Sequence, residues 1–450
     1  MTELAPVPPW RRPSTWAWLL GALFAVLLML DVRERPRFEP DTWAVYGGAQ
    51  ATKACLASGQ RPCPNVSYFP LFQYLVVWMA EALGASPEGA MRTLTALSVL
   101  SLLGLVVLGA RWLAPRQGTG AAALFVLGTL ASYGLWYART TFNELPSALV
   151  ALALAAVCVD GKRWWLVGPL ALLTGLTKEV ALPFVLWLGV WPLWRRTAGL
   201  KWAIALGVGA LAGTIPGLLF NQFRFGTLGN TFLLDPILQA HGVALILRQS
   251  LAIWFSPSGG LLEVAPLAGL TVLGVAGWAL ARKDERSRGL WLLGLVGATT
   301  LGFARWFSPF GWWSWGPRLM LPWVPAMFLI ALTHPGLPAL LERRGVRLAA
   351  GVLALLAVSL NVFAIFGDGS YYGFFEHNRD VGPTPAIQAD PDAYFRALEG
   401  LEWPKVHFWV VDLWRETLPT AGRRLWASGA LAVLAVCWWW HAGLRKVEKA

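Results

Sequence analysis

The sequence predicts an all-α fold, a polytopic transmembrane helical bundle of about 12 spans with juxtamembrane helices and loops on its outer face. Hydrophobic residues make up 56% of the 450 residues and charged residues only 14%, whereas a soluble domain carries about 25% charged residues. The apolar residues also form runs that approach the roughly 20 residues needed to cross a bilayer. This composition excludes a disordered chain, a secreted disulfide scaffold and an ordinary soluble enzyme.

Twelve apolar runs are candidate spans. Two pairs of them, within 121–159 and 164–194, are hairpins with a brief polar turn. The first run follows Arg11 and Arg12, as in a signal peptide, but no small-residue cleavage site follows it, so we expect a retained anchor. The predicted spans are 16–30, 93–110, 121–138, 145–159, 164–177, 180–194, 202–220, 264–281, 289–304, 319–333, 348–366 and 425–440.

The basic residues indicate which side of the bundle faces the cytoplasm. Nineteen of the 37 Lys and Arg residues fall in short segments that the span map places on one side, and short cytoplasmic loops are enriched in these residues. We therefore predict a multi-pass protein of a bacterial inner or plasma membrane with both termini in the cytoplasm. The net charge of +12 then reflects topology, and no nucleic-acid partner is predicted.

The outer side receives three long segments, 31–92, 221–263 and 367–424. The first contains 68–84, an apolar stretch that could be a thirteenth span and would then invert every later loop. Because it is short and contains Pro70, we predict a helix that lies in the outer interface.

The cysteines leave one alternative open. Cys55 and Cys63 share the first outer loop, where an oxidising compartment would permit a disulfide, although two free thiols are equally compatible with the spacing. Cys158 and Cys437 fall in predicted spans and are interpreted as packing residues. The sequence contains no spacing of Cys or His residues that indicates a metal site.

Ionisable residues gather where the predicted spans meet the outer side. A transporter usually carries such residues at membrane depth and often shows internal repeats, and neither feature is visible here. An enzyme acting on an amphipathic substrate needs a carboxylate to accept a proton and cations to bind phosphate. Capping or anchoring a helix is the alternative role of each residue. These residues are Asp31, Asp41, Arg139, Glu144, Lys178, Glu179, Arg224, Glu263, Arg305 and Arg318.

Five motifs follow one another along the chain. They are Asp41-Thr-Trp-Ala-Val-Tyr46-Gly-Gly with Tyr68-Phe-Pro70-Leu71, Gly175-Leu-Thr-Lys178-Glu179, Asn221-Gln-Phe-Arg224-Phe-Gly226, Ser256-Pro-Ser-Gly-Gly260, and Trp312-Trp-Ser-Trp315-Gly-Pro-Arg318. In this order, over about residues 10–335, they resemble the C-type (GT-C superfamily) integral membrane glycosyltransferases. Members of that family use sugars linked to polyprenyl phosphate as donors.

The resemblance implies an inverting sugar transfer in which an aspartate of the first outer loop is the general base. Asp41 matches that position, with Asp31 as the alternative. Many relatives have an Asp-Glu pair here, whereas Thr42 follows Asp41 in this chain. Because Pro40 precedes Asp41 and a helical run follows, capping a helix N-terminus is a further role for this side chain.

The resemblance also implies groups that bind the donor. Arg318 and Arg224 are the preferred phosphate ligands because a guanidinium can bind two phosphate oxygens, and Lys178 is the third candidate. Substrate-binding candidates are Tyr46, Glu144, Trp312, Trp313 and Trp315. Elsewhere the tryptophans are interpreted as interfacial anchors. No cofactor is predicted; a divalent metal is compatible with the reaction, but no residue pattern indicates one.

The expected partners are a polyprenyl-phosphate sugar donor, a lipid, glycan or protein acceptor, and membrane lipids. We expect residues 1–366 to form the transmembrane catalytic bundle with outer loops 31–92 and 221–263. Residues 367–424 are predicted to form an outer-face segment, and 425–450 the last span and a cytoplasmic tail. The alternative functions are a lipid or glycan transporter, an oligosaccharide ligase or polymerase of similar topology, and a non-catalytic assembly subunit.

Overall fold

The fold is helical throughout the residues that the computed structural model describes, which are 19–20, 23–24, 27, 40–63, 69–230, 242–256, 260–306, 316–366 and 420–447. Within them the sixteen α-helices are α1 (Pro40–Ser58), α2 (Leu71–Ala82), α3 (Pro87–Leu130), α4 (Gly134–Tyr137), α5 (Glu144–Asp160), α6 (Trp164–Thr177), α7 (Leu182–Trp194), α8 (Leu200–Phe225), α9 (Val243–Phe255), α10 (Leu261–Val264), α11 (Pro266–Ala281), α12 (Arg286–Ala304), α13 (Val324–Leu332), α14 (Leu337–Leu341), α15 (Arg344–Phe366) and α16 (Thr420–Val447). Short 3₁₀ turns at Glu179–Ala181 and Arg318–Met320 precede α7 and α13.

Local sequence signals explain several helix ends. Ser86 accepts a hydrogen bond from the backbone N–H of Gly89 at the start of α3, where Pro87 follows in the first turn. A serine cap followed by proline is favourable there, because the first N–H groups of a helix have no partner inside it. At the end of α8, Gly226 adopts φ +73°, which glycine tolerates without the strain that a Cβ would cause.

The fold class is confirmed, and the helix bounds refine the predicted span map. Element α3 covers the predicted span 93–110 and most of 121–138, and it is divided at Gly118, whose backbone (φ +82°, ψ 174°) is not helical. A Cβ on Gly109 would overlap the ring of Phe125, so the two helical segments of α3 fold back against each other, as two separate spans do. The second segment ends at Leu130, and the short helix α4 follows it.

The chain is an integral membrane protein. Four described helices are long and apolar enough to cross a membrane: α3, α8, residues Arg344–Val362 of α15 and Thr420–Ala442 of α16. Five shorter apolar helices accompany them, among them α2, for which twelve residues give a length of about 18 Å. A helix of this length is shorter than the roughly 30 Å hydrocarbon core of a bilayer. The place of 68–84 in the outer interface stays a prediction.

Helices α6 and α8 run parallel and approach each other closely through glycine, and α7 connects them in the sequence. A Cβ on Gly213 would overlap the carbonyl oxygen of Leu172, and one on Gly209 would overlap that of Gly168. Small residues allow this kind of close backbone contact between membrane helices. The packing brings the C-terminal ends of α6 and α8 side by side.

Several basic connections meet at the opposite end of the bundle. Arg116, near the bend in α3, binds both carboxylate oxygens of Asp160 at the end of α5, with N···O distances of 3.1 and 2.9 Å. Arg288 and Gln117 both donate to the carbonyl oxygen of Thr333. The loops predicted to share one basic side are thus joined to one another at this end.

Cys55 and Cys63 form a disulfide, which resolves the alternative that the sequence leaves open. The bond joins α1 to the loop that follows it. The backbone N–H of Cys63 also donates to the carbonyl oxygen of Phe223 in α8, so the first long segment is attached to the bundle.

The α6–α8 contact gives a stability prediction. We expect Gly213→Ala to lower the melting temperature of the detergent-purified protein, because the added methyl group forces two backbones apart. The matched control is Gly207→Ala on the same helix, where a Cβ would meet no atom within 4 Å. Alanine is favoured over glycine in a helix by about 1 kcal/mol, so this control should be neutral or stabilising. Equal effects of the two substitutions would contradict the packing.

Candidate active site

The turn between α4 and α5, residues 138–143, is joined by hydrogen bonds to α1, α2 and α3. Thr141 is central: its hydroxyl lies 3.0 Å from the hydroxyl of Thr42 on α1, and its carbonyl oxygen accepts a hydrogen bond from Gln73 Nε2 on α2 at 2.9 Å. Ser98 on α3 donates to the carbonyl oxygen of Phe142 at 3.1 Å. These contacts fix the turn at the end of the bundle where α5 begins.

The same turn is joined to the α6–α7 connection. Asn143 donates from its side chain to the carbonyl oxygen of Thr177, the last residue of α6. Glu144 then begins α5 and Lys178 follows α6, so the hydrogen bond places these two charged residues next to each other. One buried side-chain amide thus joins two parts of the chain that are 34 residues apart.

Glu144 lies at the centre of a buried ion cluster. Lys178 Nζ donates to Glu144 Oε1 at 3.1 Å, and Arg318 Nε lies 3.7 Å from the same oxygen. The three side chains are only 4 to 11% exposed. The Arg318 guanidinium lies over the ring of Phe142, 4.5 Å from its centroid. Two cations thus share one carboxylate oxygen in a region from which bulk water is largely excluded.

Burial lowers the pKa of Lys178, and the nearby Arg318 lowers it further, while Glu144 raises it. Lys178 lies in the connection after α6, outside the helical spans. Its ammonium charge depends on the carboxylate of Glu144, because desolvation penalises the charged form of a buried lysine. Lys178 and Glu144 therefore form a buried ion pair.

A second polar cluster lies beside the first. Arg224 near the end of α8 donates to Asn221 Oδ1 at 3.1 and 2.7 Å and to the carbonyl oxygen of Phe69 at 2.6 Å. Asn221 in turn donates to Glu179 Oε1 at 3.3 Å. Burial raises the pKa of Glu179 and Arg224 lowers it. The close α6–α8 contact permits this arrangement, since a Cβ on Gly217 would lie 2.9 Å from Glu179 Oε2.

A cavity of about 90 Å³ opens between these clusters. This is room for several water-sized groups, since one water needs about 10–15 Å³ on the same kind of measure. Its described lining combines two carboxylates, two cations and three side-chain amides with aromatic and apolar groups. The lining residues are Phe69, Pro70, Gln73, Phe142, Asn143, Glu144, Lys178, Glu179, Val180, Asn230, Trp306, Arg318 and Leu319.

Three of the predicted site residues meet at this cavity: Glu144, Lys178 and Arg318. Arg224 is 2% exposed and lies behind the cavity wall, where it holds Asn221 and Phe69. The sequence did not indicate that Arg224 lies behind the cavity wall while Lys178 lines the cavity.

Tyr46, predicted to bind substrate, contacts Glu81 of α2 instead of the cavity. Burial raises the pKa of Tyr46, and its hydrogen bond to Glu81 raises it further. Burial would also raise the pKa of Glu81, but hydrogen bonds from Lys53 and Tyr46 give a net lowering. Together with Gln50, which donates to Glu81, these residues hold α1 against α2.

Of the remaining predicted site residues, only Asp41 lies partly within the described structure. The backbone of Asp41 lies in the first turn of α1, but its side chain lies outside the described residues. Asp31, Trp312, Trp313 and Trp315 also lie outside them.

Some cavity residues were not among the predicted site residues. Glu179, Gln73 and Asn143 line the cavity, and nothing in their local sequence distinguishes Gln73 or Asn143 from ordinary interfacial amides. Glu179 did carry a signal, because it adjoins Lys178 within the second of the five motifs.

Two solved structures of ArnT from Cupriavidus metallidurans are similar to this chain. The structure bound to undecaprenyl phosphate has 18% sequence identity and a TM-score of 0.53, covering 96% of this chain and 77% of that chain. The apo structure has 19% identity and a TM-score of 0.50, covering 96% and 76%. This likeness shows that the chain shares the fold of the two ArnT structures. No family model matches the chain, and no curated protein matches its sequence.

The buried ion cluster gives a prediction that needs no substrate. Glu144→Gln should destabilise the purified protein by about 3–5 kcal/mol, because two cations lose their shared carboxylate in a desolvated region. Adding Lys178→Met to Glu144→Gln should recover part of that loss.

The matched control is the Lys53–Glu81 pair, in which the side chains are 45% and 17% exposed. Exposed ion pairs contribute about 0–1 kcal/mol, so Lys53→Met should have a small effect in the same unfolding measurement. Additive losses in the Glu144 and Lys178 double variant would contradict the coupling.

Proposed function

We propose that this protein transfers a sugar from a polyprenyl-phosphate donor to a lipid, glycan or protein acceptor on the outer face of the membrane, with inversion at the anomeric carbon. The observation that carries the proposal is the cavity lined by Lys178, Arg318 and Glu144 in a membrane bundle with the C-type fold. One of the two similar ArnT structures is bound to undecaprenyl phosphate, which supports a lipid phosphate as the donor.

Lys178 and Arg318 are the proposed phosphate ligands. Both are held before any ligand arrives, because they share Glu144 Oε1 and Arg318 also contacts the Phe142 ring. Negative charge develops on the phosphate oxygens as the bond to the sugar breaks. Cations fixed near that position in a poorly solvated cavity lower the barrier more than mobile cations in water.

Arg224 is better suited to a positioning role than to phosphate binding. Its guanidinium is engaged by Asn221 and the Phe69 carbonyl oxygen, and it lies behind the described cavity lining. We propose that it holds Glu179 and the segment before α2 in place, so that Lys178 and Arg318 remain as the two phosphate ligands.

Asp41 is the proposed general base. It lies in the first turn of α1, and the next residue, Thr42, contacts Thr141 only three residues before Glu144. This contact brings the start of α1 to the edge of the cavity and supports Asp41 as the base, while Asp31 lies outside the described residues. The sequence signal and the position of the helix support the same residue.

The proposed reaction is a direct displacement. Asp41 accepts the proton of an acceptor hydroxyl, and the freed oxygen forms a bond to the anomeric carbon of the donor. The bond from that carbon to the phosphate oxygen breaks, and its electron pair leaves with polyprenyl phosphate. Lys178 and Arg318 stabilise the departing phosphate.

Asp41→Asn should abolish the transfer of a radiolabelled sugar from polyprenyl phosphate in membranes, at unchanged protein abundance. Removing a general base typically costs about 10²–10⁴-fold in rate. A matched control is Asp160→Asn, which removes a carboxylate that pairs with Arg116 at the other end of the bundle.

Asp31→Asn separates the two candidate bases. Full activity of Asp41→Asn together with loss in Asp31→Asn would assign the proton transfer to Asp31. Normal activity in both variants would overturn the mechanism.

The proposed orientation is tested separately. Reporter fusions placed after residues 140 and 230 should be active only outside the cytoplasm, because both positions lie at the cavity end of the bundle. The Cys55–Cys63 disulfide supports this orientation, since such bonds persist in oxidising compartments. A cytoplasmic signal from either fusion would place the cavity on the inner face.

A further inference from the structure

Two buried acceptor atoms in the cavity wall have no donor. Gln73 is 1% exposed and Glu144 is 3% exposed, and both side chains line the cavity. Within the described part of the chain, neither Gln73 Oε1 nor Glu144 Oε2 accepts a hydrogen bond. Buried polar atoms without partners are unfavourable and uncommon. Such a pair at a cavity can accept hydrogen bonds from the hydroxyl or water groups that fill it.

Each of the two side chains is fixed through its other polar atom. Gln73 Nε2 donates to the carbonyl oxygen of Thr141 at 2.9 Å, and since a carbonyl can only accept, this bond defines which end of the amide is the oxygen. Glu144 Oε1 accepts from Lys178. The two orphan oxygens are therefore held in place by protein contacts before a ligand enters.

The charges around the pair favour a neutral donor. The carboxylate of Glu144 already faces Lys178 and Arg318, and Glu179 is coupled electrostatically to Arg224. Neither carboxylate of the described lining therefore lacks a cation. Within the described residues no cluster of three or more His, Cys, Asp or Glu side chains is present that could hold a metal ion. Hydroxyl groups satisfy the two acceptors without adding positive charge beside Lys178 and Arg318.

We propose that Gln73 and Glu144 form a hydroxyl-binding subsite for the sugar ring of the donor, beside the cations that bind its phosphate. This inference rests on the proposed function and adds a specificity determinant to it. An ionised phosphate diester brings only acceptors, whereas a sugar ring brings several O–H donors. Lys178 and Arg318 thus match the phosphate part of the donor, and the two orphan oxygens match its sugar part.

Gln73 is the residue through which the subsite is best tested, because Glu144 also holds the two cations. In Gln73→Met a side chain of similar length keeps its place in α2 but loses the acceptor, together with the hydrogen bond to Thr141, so the binding of sugar-free lipid described below is needed to separate the two losses. The matched control is Gln222→Met on α8, where an exposed glutamine donates to the carbonyl oxygen of Gly226 at 2.9 Å, outside the cavity lining.

The experiment measures kcat/KM with polyprenyl-phosphate hexose and pentose probes and with their monodeoxy analogues. For the wild-type protein, removing the hydroxyl at one position of the ring should lower kcat/KM about tenfold or more. With the complete donor, Gln73→Met should have a kcat/KM lower than that of the wild type by a similar factor. With the analogue that lacks this hydroxyl, Gln73→Met should have the same kcat/KM as with the complete donor. Gln222→Met should behave as the wild type does.

Binding of polyprenyl phosphate without a sugar provides a readout independent of turnover. It should be the same in the wild type and in Gln73→Met, because the cations are unchanged. An equal loss of affinity for the sugar-free lipid would show a general disturbance of the cavity and would overturn the subsite. Unchanged discrimination of every deoxy analogue in Gln73→Met would also overturn it.

Two further outcomes are distinguishable. Failure of the wild type to transfer sugar from any probe overturns the proposed function, and the comparison of sugar-bearing with sugar-free lipid binding then still tests the subsite. A chelator could also abolish the activity of the wild type, with a divalent cation restoring it. If the cation restores the wild type but does not restore Gln73→Met, the two oxygens bind a metal, and the hydroxyl assignment is overturned.

Discussion

The arrangement of the cavity depends on the carboxylate of Glu144, which holds Lys178 at 3.1 Å and Arg318 at 3.7 Å. Burying charges in a membrane bundle is unfavourable unless each is compensated. The shared oxygen provides that compensation while the cavity is without a ligand, and so two cations can be kept where little water reaches them. This arrangement lowers folding stability, and it keeps two poorly solvated cations beside the cavity, where they would attract the lipid phosphate that we propose as a ligand.

The ion cluster in turn depends on backbone packing that involves no charge. Glycines allow α6 and α8 to approach so closely that a Cβ on Gly213 would overlap Leu172, and the connection carrying Lys178 and Glu179 is thereby placed beside Asn221. On the other side, the turn around Thr141 is held by α1, α2 and α3. Small residues deep in the bundle therefore determine the geometry of polar residues at its end.

The sequence predicted the helical membrane fold because uninterrupted apolar runs have few alternatives in a bilayer. It also placed Glu144, Lys178 and Arg318 at the ends of apolar runs on one side, and the resemblance to the C-type glycosyltransferases assigned them to substrate binding; all three line the cavity. It could not distinguish Arg318, which lines the cavity, from Arg224, which lies behind it, because that difference arises from tertiary packing. Gln73 escaped prediction for the same reason: only its contact with Thr141 shows that its oxygen is fixed at the cavity. The loop predicted between spans 93–110 and 121–138 is reduced to a break in α3 at Gly118, because glycine adopts this non-helical backbone without strain.

The most direct measurement is an experimental structure of the protein with a polyprenyl-phosphate lipid bound in a membrane mimetic. We expect phosphate density within hydrogen-bonding distance of Lys178 Nζ and the Arg318 guanidinium, with the lipid chain leaving the cavity between helices. Phosphate bound at the opposite, basic end of the bundle, or a cavity that stays without phosphate at saturating lipid, would contradict the proposed donor site.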